Sequence, residues 1–530
     1  MEEKTLNIVL NILLAGLFGL QAYGLYKVKS QKRWPIKVIL NVLLLISIVL
    51  LIFPPKFQKN ITNNKIGIKD ERIPASEIKK LQDSLDIELV ITPKDYLSKF
   101  IDKNPEIHLF GQSFTAEFLS ELAEKNMHLH PYFSKNEIQD LSYQSILRQN
   151  ENQQIFGKIE LENKATIKVK YGSATLDSII LEKGQQSFIL SFPSFSLGKT
   201  AVDIFLDDKV LSSIHYFSRK ADKLNILILS ENPDFETKTL SDWLGKNGHQ
   251  VKVQTLVAKN TQNNTDINKT ENEKYDIVFA TPANISQSIC KKTIANGGAI
   301  FMYNAEESAI EVLNKTYGTG FKFQKIGNEK EIQLKEGLFA LPFKFLPETH
   351  YQINQDWPIA VNSKRIGTSL LSETYPLLLS GDSITYRKIW AEVLQKLNIV
   401  QKNNIAIQAP IQKDLNTEII FNNFENLDAI FKTPNDSIFT KKLASNPNSY
   451  FGNYAFRKSG WQAIDPENEV FIDEDLESYL AYNFSKSAIN IYQKNGISNT
   501  NISLKEPISP WVLFFIIFII LAMLWLEPKL

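Results

Sequence analysis

The chain of 530 residues contains a single cysteine, Cys290, and that scarcity removes several chemistries at once. No disulfide can form within the chain, and no thiolate cluster can hold zinc or iron–sulfur. An excess of one charge is missing too. Lys and Arg number 59 against 58 Asp and Glu, a net of +1, so no overall field draws in nucleic acid. No G-x-G-x-x-G follows the apolar run 224–229, and no Walker sequence occurs. The surroundings of Ser308 read EESAI, which lacks the glycines of a serine-hydrolase elbow. His128 and His130 are two apart and share a face on a strand, but the sequence supplies no third ligand near them. Asp203, Asp207 and Asp208 read as the outer face of a strand and its turn. No cofactor and no metal are expected.

What is present is unevenly placed. The hydrophobic fraction is an ordinary 43%, but three blocks at the ends concentrate it: 6–26, 37–53 and 508–527. A helix of about 20 apolar residues crosses a bilayer, and slightly shorter ones cross by thinning it. Trp34, Trp511 and Trp525 sit at block ends, where aromatic rings favour the membrane interface. A cleaved signal peptide is the competing view of the first block. It lacks a small-x-small site, and a second apolar block follows at once. The intervening loop carries Lys27, Lys29, Lys32, Arg33 and Lys37 and no acidic residue, which places it in the cytoplasm. The N-terminus and the large central region then lie outside, and the C-terminus inside. The lipid bilayer is the first expected partner.

Patterning divides the remainder. Residues 64–150 alternate short strands (89–91, 107–110) with a helical stretch at 116–122, a small α/β unit. Thr92-Pro93 is expected to start a turn. Residues 152–220 alternate apolar and polar with Gly172, Gly184 and Gly198 between the runs, the mark of an immunoglobulin-like β-sandwich. From 222 to 398 mostly apolar strands (224–229, 275–279, 299–303) alternate with helices, which predicts a doubly wound α/β domain. The polar stretch 259–274 has no strand signal and is expected to be a loop. Residues 403–500 return to strand patterning, and a second β-sandwich is expected there. The pattern fits residues 64–150 either as a domain or as an addition to the main sheet.

Several of these stretches together resemble a known family. They are the strand 224–229 with the following NPDFE at 232–236, Trp243 and Leu244, and the strand–Gly297-Gly298–strand unit over 275–303. LSGD at 379–382 with Tyr386 and Trp390, and LWLE at 524–527, complete the match. The chain resembles bacterial inner-membrane proteins that hold a class I glutamine amidotransferase-like domain between transmembrane helices. The resemblance implies a periplasmic soluble region. It also implies a complex with von Willebrand factor A-domain membrane proteins and a MoxR-type ATPase of the aerotolerance group.

An amidotransferase needs a cysteine on a sharp strand-to-helix turn, with backbone N–H groups aimed at the developing oxyanion. Here that turn should follow 299–303, where the sequence reads NAEES, with no cysteine. Cys290 falls on a helical run ahead of Gly297, and His350 has no nucleophile to serve. The family's chemistry is therefore not expected, and the chain is expected to be a non-enzymatic scaffold or sensor. A divergent hydrolase stays open as an alternative. So does a small-molecule or glycan receptor using the carboxyl edge of the sheet. Asn232, Asp234, Glu236 and Asn304 are the ligand candidates at that edge, with helix capping the competing role for the first three.

Overall fold

The computed structural model describes residues 16, 18–19, 23, 26–27, 34–52, 55–61, 64–258, 261–268, 274–354, 356–397, 403–424, 427–444, 446, 448–474, 477–492 and 502–526. The first expected span, 6–26, lies almost wholly outside them. The fold is mixed α/β with several sheets, and it divides into two compact units. One comprises residues 1–132 with 488–530, the other residues 133–487.

In the first unit, helix α1 (Trp34–Ile52, 19 residues) is the one helix among the described residues long and apolar enough to cross a membrane. Its polar side chains bond back into their own helix. Asn41 Nδ2 donates to Lys37 O and Ser47 Oγ to Leu43 O, each at 2.8 Å, the back-bonding open to such side chains inside a helix. The apolar helix α11 (Pro510–Leu526) is shorter, at 17 residues, and packs against α1. Antiparallel strands β1 (Lys56–Ile61) and β27 (Ile502–Pro507) join the chain where it leaves the two helices.

The same unit carries a four-stranded parallel sheet of β2 (Lys65–Lys69), β3 (Leu89–Ile91), β4 (Glu106–Phe110) and β5 (Asn126–His130), in the order β3-β2-β4-β5. The crossovers are α2 (Ala75–Leu85), α3 (Pro93–Lys99) and α4 (Ala116–Glu121). Thr92-Pro93 opens α3 rather than a plain turn. Thr92 Oγ1 accepts from Asp95 N at 3.2 Å, and Pro93 fills the first helical position, where no N–H is needed.

The second unit begins with strands that sequence patterning grouped with the small α/β unit. β6 (Ile138–Gln144) and β7 (Ile146–Arg148) enter two β-sheets. A five-stranded sheet runs β10-β9-β12-β13-β7, with β9 (Ala165–Tyr171), β10 (Ala174–Leu181), β12 (Gly198–Leu206) and β13 (Lys209–Arg219). An eight-stranded sheet begins β11-β8-β6, with β8 (Asn152–Leu161) and β11 (Gly184–Pro193). Period-2 alternation turns Ile155, Ile159, Phe188 and Leu190 onto Val169, Val202, Ile204 and Ile214 of the facing sheet, giving one shared core.

The eight-stranded sheet then continues through β22 (Asn404–Ala409), β23 (Asn416–Asn422), β26 (Ser449–Ala455), β25 (Ser437–Lys442) and β24 (Ile430–Lys432). The hinge of this continuity is the pairing of Ala409 with Tyr143 and of Gln408 with Gln144. Residues 403–500 therefore extend a sheet begun near 138. They also include a helix, α10 (Ser478–Tyr492), that strand patterning did not suggest.

Between these β regions lies an eight-stranded sheet of β14 (Asn225–Ser230), β15 (Gln250–Ala258), β16 (Thr261–Ile267), β17 (Ile277–Ala280), β18 (Ala299–Met302), β19 (Tyr351–Ile353), β20 (Ile359–Asn362) and β21 (Ile366–Ser369). Its order is β16-β15-β14-β17-β18-β21-β20-β19, parallel at the centre and antiparallel at both margins. β16 falls in the stretch expected to be a loop. Backbone pairing with β15 suffices to make it an edge strand, and its exposed Asn263, Asn264 and Thr265 explain the lack of an apolar signal. Helices α5 (Phe235–Lys246), α6 (Ser288–Ala295), α7 (Glu307–Tyr317), α8 (Tyr375–Leu379) and α9 (Ser383–Leu397) accompany the sheet. Helical spacing turns Tyr386, Ile389, Trp390, Val393 and Leu397 of α9 into the core. There the Trp390 indole meets Phe279 and Phe301 edge-on, at 5.8 and 6.2 Å between centroids.

Candidate functional site

The carboxyl edge of the large sheet is where sequence reasoning placed a ligand. Asp234 caps α5: its Oδ1 accepts from Thr237 N at 2.6 Å. Tyr303 lies with its hydroxyl 2.7 Å from Thr237 Oγ1, which in turn donates to Asp234 Oδ2 at 2.7 Å. Asn232 is exposed, and its carbonyl accepts from Ser230 Oγ at 2.6 Å. Glu236 is only 2% exposed. Its Oε2 accepts the backbone N–H groups of Thr374 and Tyr375, each at 2.8 Å, and its Oε1 accepts the Thr374 hydroxyl. Trp390 Nε1 donates to the same Thr374 Oγ1 at 2.9 Å. A carboxylate on α5 thus serves the free N–H groups at the start of α8, which has no capping side chain of its own. Burial raises the Glu236 carboxyl above its ordinary pKa, and the Thr374 and Tyr375 bonds pull it back.

Asn304 follows β18 at φ +50°, a left-handed turn that leads toward α7. It shares with Glu236, Tyr303 and Thr374 a cavity of about 10 Å³, roughly the room of one water. The structure therefore gathers Glu236 and Asn304, while Asp234 joins the same hydrogen-bonded chain through Thr237 and Tyr303. The space they enclose is too small for an organic ligand.

Other residues singled out from sequence fall as follows. Cys290 is fully buried on α6 with its Sγ 3.7 Å from Asn284 O, and burial pushes its thiol up to about 11. A thiol so placed supplies little thiolate. Ser308, Glu306 and Glu307 are exposed at the start of α7. His350 is near Gly320, with Nε2 3.2 Å from the glycine carbonyl. Ser213 Oγ donates to Asp203 Oδ1 at 2.5 Å, and Asp207 Oδ1 accepts from Thr166 N at 2.9 Å.

His128 and His130 do share a face of β5, and the adjacent strand β4 adds His108 and Glu106 to it. The rings of His128 and His130 stack on His108 at 5.1 and 5.2 Å, and His108 Nε2 lies 3.1 Å from Glu106 Oε1. Parallel pairing over a gap of 20 residues made this row, so spacing along the sequence could not reveal it. Among the described residues, no group of three or more His, Cys, Asp or Glu is arranged to hold a metal ion.

A large recess lies elsewhere in the second unit. A cleft of about 1480 Å³ is bounded by the outer face of the paired strands β8 and β11, strand β10, the edge strand β19 and one side of α9. Period 2 explains the strand wall: Asn152, Gln154 and Phe156 alternate with the core residues of β8, and Ile189 and Ser191 stand opposite on β11. Helical spacing explains the other wall, with Lys388, Glu392 and Lys396 outside the buried set of α9. Lys388, with a side chain 11% exposed, lies 2.8 Å from Asp356 and 3.7 Å from Asp177. Asp177 in turn accepts the backbone N–H groups of Ser178 (2.9 Å) and Ser191 (2.7 Å). Burial raises the Glu392 carboxyl and lowers the Lys396 ammonium. Sequence reasoning missed this cleft because its walls come from segments far apart in the chain, from Asn152 to Lys396. The one local signal was Phe156 on the polar side of an otherwise regular strand.

No protein-family model matches the chain, and no curated protein matches it.

Proposed function

We propose that this chain is a membrane-anchored, non-enzymatic scaffold or sensor subunit, built around a catalytically degenerate class I glutamine amidotransferase-like domain. The observation that carries this reading is Asn304. The residue after β18 and Tyr303 takes the left-handed conformation of a sharp strand-to-helix turn, yet it offers an amide where acyl-transfer chemistry needs a nucleophile. The nearby carboxylates add support. Asp234 and Glu236 are occupied by N–H and O–H donors of the fold, so neither serves as a free base.

In this reading the chain spans the inner membrane of a bacterium three times, through 6–26, α1 and α11. The basic loop and the C-terminus face the cytoplasm, and the immunoglobulin-like β-sandwich and amidotransferase-like modules face the periplasm. Von Willebrand factor A-domain membrane proteins and a MoxR-type ATPase are its partners. Crosslinking in native membranes, followed by affinity purification and mass spectrometry, tests the partners. Specific recovery of those two protein types sustains the reading, and recovery of the chain alone ends it. Orientation is tested separately. Cys290 is fully buried, so an Asn163→Cys variant labelled in intact cells by an impermeant maleimide reports an external central region. Labelling only after lysis reverses the topology.

A further inference from the structure

We propose that the cleft between the paired strands β8 and β11 and helix α9 binds an uncharged oligosaccharide. The first observation is a set of side-chain atoms left without partners. Asn152 and Ser191 line the cleft, are 6% and 7% exposed, and keep Asn152 Oδ1 and Ser191 Oγ without a hydrogen-bond partner. Trp357, also in the lining, keeps its indole Nε1 unpartnered. Buried polar atoms are normally satisfied, and leaving one bare carries a substantial penalty. The three atoms are an acceptor, a hydroxyl able to do both, and a donor. Sugar hydroxyls, which donate and accept at once, match that mixture.

The second observation is charge. Lys335 lies 2.6 Å from Asp382, and Lys388 lies between Asp356 and Asp177. The Glu392 carboxylate accepts from the Asn354 amide. With these groups matched inside the wall, an ionic ligand would lose its hydration and meet little free countercharge. The third observation is the apolar pair Phe156 and Ile189, directly opposite in register and 45% and 43% exposed on the solvent face of β8 and β11. An aromatic ring beside a branched aliphatic offers a flat platform for the C–H face of a pyranose. The cleft also exceeds the roughly 300–1,000 Å³ of a site for a single small molecule, so it suits several linked rings. This placement differs from the carboxyl edge expected from sequence, and it does not rest on the scaffold reading.

The test is titration calorimetry on the full chain in zwitterionic, sugar-free micelles. The probes are cellohexaose, chitohexaose, maltohexaose, laminarihexaose and mannohexaose, with hexagalacturonate and a pool of extended decapeptides as contrasts. At least one neutral hexamer is expected to bind, and the heat of binding is the readout. Phe156→Ala and Ser191→Ala should each weaken it about tenfold, the factor that loss of one contact of this kind gives, with the melting temperature unchanged or raised. Phe156 is exposed, so that variant decides the matter even where Ser191→Ala fails to fold. Absence of binding by all five neutral hexamers at millimolar concentration overturns the proposal. So does equal binding by wild type and Phe156→Ala, or binding by the charged hexamer or the peptides alone.

Discussion

The two parallel sheets of this chain share one plan and differ in how they close it. The four-stranded sheet runs second-first-third-fourth as β3-β2-β4-β5, and the core of the large sheet repeats that order as β15-β14-β17-β18. In such sheets the gap beyond the first and third strands is where ligands bind. Here both sheets put an acidic residue immediately after the first strand and bond it to backbone N–H groups across that gap. In the small sheet Asp70, 5% exposed, accepts from Arg72, Gln112 and Ser113 at 2.5, 3.1 and 2.7 Å. Gly111 turns at φ +96°, and a Cβ there would lie 2.7 Å from the Asp70 carboxylate. In the large sheet Glu231 accepts from Ala283 N at 2.9 Å, while the buried carboxylate, Glu236, points onward to α8. The small sheet thus seals its switch point with one buried acid. The large sheet splits the same duty between an outer acid and an inner one. The lesson is that an acid at a carboxyl edge is first a partner for orphaned amides, and a ligand site only if amides are left over.

The largest effect expected from breaking this comparison is at Asp70. Asp70→Ala leaves buried N–H groups of one turn bare and should cost about 3 kcal/mol. Hydrogen exchange should show β2 and β4 losing protection while the large sheet keeps its own. Equal loss in both sheets would refute the separate closures. Glu236→Gln is next, at about 2 kcal/mol, because its amide oxygen can keep both N–H groups but its NH2 then faces the Thr374 hydroxyl, which loses its acceptor. It should loosen α8, visible as faster exchange near Tyr375.

A pH scan comes third. Burial depresses His108 to about 4, with Glu106 raising it and His130 and His128 lowering it further. The unfolded chain, with imidazoles near 6.5, therefore binds more protons than the folded one, and stability falls as pH drops from about 6.5 toward 4. His108→Gln should lessen that slope and leave the share of His249, whose imidazole burial also holds near 4. An unchanged slope would place the acid sensitivity elsewhere. The smallest effect is at Glu231, whose partly exposed carboxylate serves one amide, so Glu231→Ala should cost about 1 kcal/mol by thermal melting. A loss as large as that of Asp70→Ala would mean that the outer acid carries the switch point after all.

The sequence alone determined whatever depends on near neighbours along the chain. Apolar composition marked α1, apolar runs marked β14, β17 and β18, and the period of 3.6 marked α9. Asp234 was legible as a cap because capping reaches only three residues. Tertiary structure decided what depends on remote partners. It made β16 a strand through backbone pairing, which leaves no mark on polar side chains. It carried β6 and β22 into one sheet across more than 260 residues, and brought Glu236 to α8, 138 residues away. It also stacked three histidines from two strands and opened the cleft beside α9. Short-range periodicity follows from the geometry of a single helix or strand, so it can be read directly. Which surfaces meet is fixed by the burial of all of them together, and no local pattern records that outcome.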